Sequence, residues 1–113
     1  SGIPFAVPDI VFSGFLRIVT NRKIFTTPTP LADAVKFVDA IRSQHNFVSI
    51  NPGSQHWDIF MSICSAVEAK ANLIPDAYLA AIAIESSSEW ITADRDFARF
   101  PNLRWSDIES PRT

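Results

Sequence analysis

Between Lys70 and Glu85 the chain carries one charged residue, Asp76, ahead of the run Leu79-Ala80-Ala81-Ile82-Ala83-Ile84. That run is small and apolar on nearly every side of a helical wheel, so a helix made from it has no solvent face and must be packed closely by its neighbours. Pro75 opens it, and the spacing predicts a helix over 76–85 resting on a sheet. Residues 89–93 and 103–105 read as strands that follow it, and 5–7 and 47–50 as strands that precede it. Three more helices are expected. One begins at Asp9 and is largely buried, since Ile10, Val11, Phe12, Phe15, Leu16, Ile18 and Val19 cover most of its wheel. A second has Thr29 as N-cap and Pro30 at its first position, with the stripe Leu31, Ala34, Val35, Val38 and Ile41. A third is capped by Ser54 and carries Ile59, Phe60, Ile63, Cys64 and Val67 inward. Strands separated by helices argue an α/β domain with a parallel sheet.

The 113 residues suit one domain, and 47% hydrophobic with 19% charged residues excludes wholesale disorder. A net charge of −2 excludes nucleic-acid binding by bulk positive charge, so any contact with RNA or DNA must rest on a local site. The single cysteine, Cys64, excludes an internal disulfide and a cysteine-built zinc site, and it fits a reducing cytoplasm. No unbroken apolar run reaches the roughly 18 residues a membrane helix needs. Ser1-Gly2-Ile3-Pro4 has neither a methionine start nor a basic region, and reads as the start of a processed or excised segment rather than a signal peptide.

Three glycines exclude a phosphate-cradling loop and a dinucleotide fingerprint. His45 and His56 stand alone, without the spacing of a two-histidine metal site, and are expected in surface or core roles. Cys64 lies on an apolar stripe and is expected to be an inert thiol. Trp57, Trp90 and Trp105 sit in apolar contexts that favour packing over stacking on bases. What remains is carboxylate. Asp94 and Asp96 follow the 89–93 strand at its C-terminal end, where open parallel sheets bind ligands. Asp76 heads the small apolar helix. If helix and strand lie side by side, the three acids converge, and two carboxylates about 4 Å apart repel by roughly 4 kcal/mol at an effective dielectric of 20. A divalent cation relieves that repulsion, and oxygen-only ligands favour Mg²⁺ or Mn²⁺. The plainer reading makes Asp94 a helix N-cap, with Asp76 and Asp96 first-turn acids placed by the helix dipole.

The words Asn72-Leu73-Ile74-Pro75-Asp76-Ala77-Tyr78-Leu79-Ala80-Ala81-Ile82-Ala83 and Thr92-Ala93-Asp94-Arg95-Asp96-Phe97-Ala98-Arg99-Phe100-Pro101 closely resemble the second half of PIN-domain ribonucleases, specifically the VapC toxins of bacterial toxin–antitoxin pairs. Phe15-Leu16-Arg17-Ile18-Val19-Thr20-Asn21, followed by Ile24-Phe25, resembles an earlier region of the same family. The resemblance implies a three-layer α/β/α domain over 1–113 and a Mg²⁺- or Mn²⁺-dependent endoribonuclease. It carries over Asp76 and Asp94 as metal-site acids, Asp96 as a further acid, and Thr92 as the hydroxyl beside them. It also implies hydrolysis of an RNA phosphodiester by metal-activated water and a cognate antitoxin that sets a cationic side chain against the acids. Arg17, Arg95 and Arg99 are then candidates for contact with RNA phosphates, against the plainer role of surface charge.

The sequence departs from the family pattern in two places. The family's first strand, with its metal-binding aspartate, has no counterpart near Asp9, so the first (central) strand and early helices are expected to be absent from this chain. Gly14 stands where many relatives place an acid. A sheet lacking its central strand exposes an edge, so homodimerisation or pairing with the missing segment is expected, and this chain alone is expected to be weak or inactive as a nuclease. The alternative is a catalytically depleted PIN-like module that binds an antitoxin without cleaving RNA.

Overall fold

A computed structural model of the chain describes residues 3–108. They form two compact units that divide after Asn51.

The N-terminal unit holds α1 (Asp9–Val19) and α2 (Leu31–Arg42). Asp9 ties it together. Its N–H donates to Asn51 Oδ1 at 2.9 Å, and its carboxylate receives Arg42 Nη1 at 2.9 Å. The Arg42 guanidinium in turn lies over the rings of Phe12 and Phe47. Phe15 and Phe37 pair their rings at 5.4 Å between α1 and α2. The strands expected at 5–7 and 47–50 reduce to a single parallel bridge between Phe5 and Phe47. The expectation of a largely buried α1 also needs correction. Phe12 is its one buried residue, and Ile10 and Ile18 are exposed. An apolar wheel is buried only where neighbours cover it, and two helices with one bridge cover little. At α2 the helix begins one residue later than expected. Pro30 itself occupies the N-cap position in an extended conformation, and its carbonyl receives the Asp33 and Ala34 N–H groups; Thr29 makes no cap.

The C-terminal unit contains α3 (His56–Val67), α4 (Leu73–Glu85), β1 (Trp90–Thr92), a short 3₁₀ helix (Arg95–Arg99) and β2 (Trp105–Asp107). β1 and β2 pair in parallel, with Thr92 opposite Asp107. This confirms the α/β reading with parallel strands. The small apolar helix is as enclosed as its composition requires, with Ala77, Ala80 and Ala81 fully buried and Ile82 1% exposed. Its main neighbour is α3, however, and not the sheet. Phe60 and Ile63 of α3 and Phe97 and Phe100 after β1 fill the alanine face, with Trp90 and Leu103 at the margin. Three-residue strands span about 10 Å, half the length of a 13-residue helix, so they cannot cover it alone. α4 also starts earlier than expected, because a proline in the first helical turn gives up no intrahelical hydrogen bond.

Glu85, at the C-terminal end of α4, caps the start of α3. Its carboxylate accepts the N–H groups of Gly53 at 2.8 Å and Gln55 at 2.9 Å, the work expected of Ser54. Gly53 makes room for this, since a Cβ there would stand 2.7 Å from the carboxylate oxygen. These hydrogen bonds hold the Glu85 carboxyl below its usual range, with the Gly53 N–H the largest cause. A lowered folded-state pKa means the cap stabilises fully above the unfolded value and is lost as pH falls through the folded one. Glu85→Ala should therefore lower the thermal midpoint at pH 7, and the gap from the unaltered chain should close in acid, as circular dichroism melts over a pH series would show.

Candidate acidic site

The site is built where β1 ends. Thr92 is the last residue of β1, and its Oγ1 accepts the Asp94 N–H at 3.0 Å. Asp94 Oδ1 accepts the Asp96 N–H at 2.9 Å and so caps the 3₁₀ helix. The plainer reading of Asp94 as a cap is thus correct, and it does not exhaust the residue. One oxygen engaged in a cap leaves the rest of the carboxylate open, and both Asp94 and Asp96 are exposed.

Asp76 lies in the first turn of α4, half-buried. Burial pushes its carboxyl above the ordinary range, and the negative charges of Asp94 and Asp96 push it further. The three acids therefore share one electrostatic field. They are not drawn into a coordination sphere: among the described residues no three acids, histidines or cysteines are close enough to hold a metal ion. The two observations are compatible, because charge repulsion reaches further than metal–ligand bonds. The donor chemistry, carboxylate oxygen only, fits a hard divalent cation, whose charge would reverse the repulsion Asp76 feels.

Of the three arginines, Arg17 lies exposed on the last turn of α1, in the N-terminal unit. Arg99 is exposed at the end of the 3₁₀ helix. Arg95 stands between Asp94 and Asp96, and its Nη1 meets Asp107 Oδ2 at 2.8 Å. Asp107 was missed in the sequence because the last strand was expected at 103–105. The pairing starts two residues later and carries Asp107 into the strand, opposite Thr92. Gly14 lies on α1 with open space where a Cβ would be.

The remaining candidates are structural. His56 is 3% exposed, its Nε2 is 2.9 Å from the Tyr78 carbonyl oxygen, and its ring packs on Phe60 and Tyr78. His45 is exposed. Cys64 is half-buried, and burial raises its thiol pKa. Trp90 packs on Phe97, and Trp57, though 61% exposed, sets its ring edge-on against Phe60.

Acids at the carboxyl end of parallel strands, near the first turn of a helix, place the unit among α/β domains with an acidic strand end. The model of the PIN domain family matches residues 3–103, and the chain belongs to that family. Among its curated relatives, ribonuclease VapC43 of Mycobacterium tuberculosis is 47% identical over 102 residues, which is 90% of this chain and 69% of the relative. Ribonuclease VapC25 of the same organism is 45% identical over 101 residues, 89% of this chain and 71% of the relative. The fold also matches a chain in the crystal structure of VapBC2 from Rickettsia felis bound to a DNA fragment from their promoter. That match has a TM-score of 0.71 at 18% identity, over 92% of this chain and 74% of that one.

Removing one of the charges that press on Asp76 should relax it. In Asp94→Asn the Asp76 carboxyl should titrate at lower pH than in the unaltered chain, followed by the carbon chemical shift of its carboxyl group.

Proposed function

We propose that this chain is the toxin component of a toxin–antitoxin pair, a Mg²⁺- or Mn²⁺-dependent endoribonuclease. The observation that carries the reading is the raised Asp76 carboxyl beside Asp94 and Asp96, in a chain 45–47% identical to proteins named VapC ribonucleases. A carboxyl raised by burial together with specific like-charged partners, at the end of a strand, is a physical signature that functional sites share. Asp76, Asp94 and Asp96 would hold the cation. When bound, it supplies Lewis acidity for water and phosphate. Thr92 fixes the Asp94 backbone with its oxygen and keeps its hydroxyl proton to orient a carboxylate or water. Arg95, Arg99 and Arg17 are the candidates for RNA phosphate. A cognate antitoxin that presents a cation to the same acids would compete with the metal.

The acids are not gathered tightly among the described residues, and Gly14 adds no carboxylate. The chain alone is therefore proposed to cleave weakly, with homodimerisation as a way to complete the site and the cytoplasm as its compartment. No helix among the described residues is long and apolar enough to cross a membrane.

Calorimetric titration of Mn²⁺ tests the reading. Saturable binding is expected in the unaltered chain and should be lost in Asp94→Asn and in Asp76→Asn. Absence of binding in the unaltered chain would sink the metal-dependent mechanism and favour an antitoxin-binding module without cleavage.

A further inference from the structure

Arg95 is the one cation flanked in sequence by two of the site's acids, yet its guanidinium pairs with neither. It reaches instead to Asp107 at the end of β2, at 2.8 Å, and lies 5.8 Å from the centre of the Trp105 ring. The two halves of this pair are unequal. The Asp107 side chain is 15% exposed and the Arg95 side chain 76%. The carboxylate is thus the fixed, covered anchor, and the guanidinium projects from it into solvent. An ion pair with so exposed a partner adds little to stability. What the arrangement does is hold a planar cation still. A guanidinium has five N–H donors, and among the described residues the one side-chain hydrogen bond of Arg95 is that to Asp107. The remaining donors keep the fork geometry that suits phosphate oxygens. The parallel register finishes the placement, because Asp107 stands opposite Thr92, whose hydroxyl fixes Asp94. Anchor, hydroxyl and acids all lie at one end of the two-stranded sheet.

We propose that Asp107 is a positioning residue that, with the face of Trp105, holds Arg95 as the phosphate-binding cation of the acidic site. The proposal rests on the nuclease reading above and deepens it. It makes the backbone of single-stranded RNA the group that Arg95 meets, and it separates Arg95 from Arg17 and Arg99, for which no such anchor is described.

The test is a double-mutant cycle read by fluorescence anisotropy of a labelled single-stranded RNA oligonucleotide of mixed sequence. It is run with Asp76 intact and with Ca²⁺ in place of Mg²⁺, so that a hard cation is available to the acids while the strand stays uncut. Arg95→Ala should lower the slope of log affinity against log salt by about 0.7, the value of one phosphate contact on a single strand. Asp107→Ala should weaken binding about two- to fivefold, the range over which exposed ion pairs act. It should have no further effect once Arg95 is alanine, and Asp107→Glu should recover part of the loss. Thermal melts of each variant supply the structural control, since a merely structural Asp107 would lower the midpoint and weaken binding equally with or without Arg95. That equal loss, or binding indifferent to Asp107, would overturn the proposal and leave the nuclease reading standing. An oligonucleotide that does not bind at all would overturn both.

Discussion

The alanine face of α4 is the constraint on which the C-terminal unit depends. Ala77, Ala80 and Ala81 are fully buried because nothing on them is larger than a methyl group, and the aromatic and branched side chains of α3 and the 3₁₀ segment settle directly against the helix. Close packing of this kind tolerates little change in volume. It also fixes both ends of α4 at once. The first turn presents Asp76 to the acids after β1, and the last residue, Glu85, reaches the start of α3. One well-packed helix therefore carries a chemical group at one end and a structural clamp at the other.

The two ends show opposite electrostatics. Glu85 is surrounded by N–H donors that favour its charge, and its pKa falls. Asp76 is partly removed from water and faces two like charges, and its pKa rises. The first arrangement lowers the free energy of the fold, whereas the second raises it. A destabilising cluster kept in a small unit is understandable when a cation or a cationic side chain is there to relieve it. The helix-cap role of Asp94 does not use up its carboxylate. One oxygen organises the backbone of the 3₁₀ helix while the rest of the carboxylate stays available.

Much of this was legible along the chain. The enclosed character of α4 followed from its composition, and the influence of Asp94 and Asp96 on Asp76 from a helix start expected near a strand end, although among the described residues the three do not gather as metal ligands. Errors arose where a residue's usual local preference was outweighed by a distant partner. Ser54 has the right chemistry for a cap, but Glu85, 31 residues away, takes the role because Gly53 lets it approach. Thr29 yields to Pro30, whose fixed backbone already turns the chain into α2. The last strand slid by two residues because pairing with β1, and not the apolar word Leu103-Arg104-Trp105, sets its register. That slip alone concealed Asp107.

By itself the amino-acid sequence determined the helical and extended segments to within a few residues, the acidic and oxygen-only character of the site, and the family through its two aspartate words. These depend on residue type and on spacings within one element, which are local properties. Tertiary structure alone decided what covers α4, which carboxylate caps α3, how strongly the three acids press on one another, and where the Arg95 guanidinium goes. Each of these depends on groups distant along the chain coming close in space, and both packing and electrostatic energy vary with that separation.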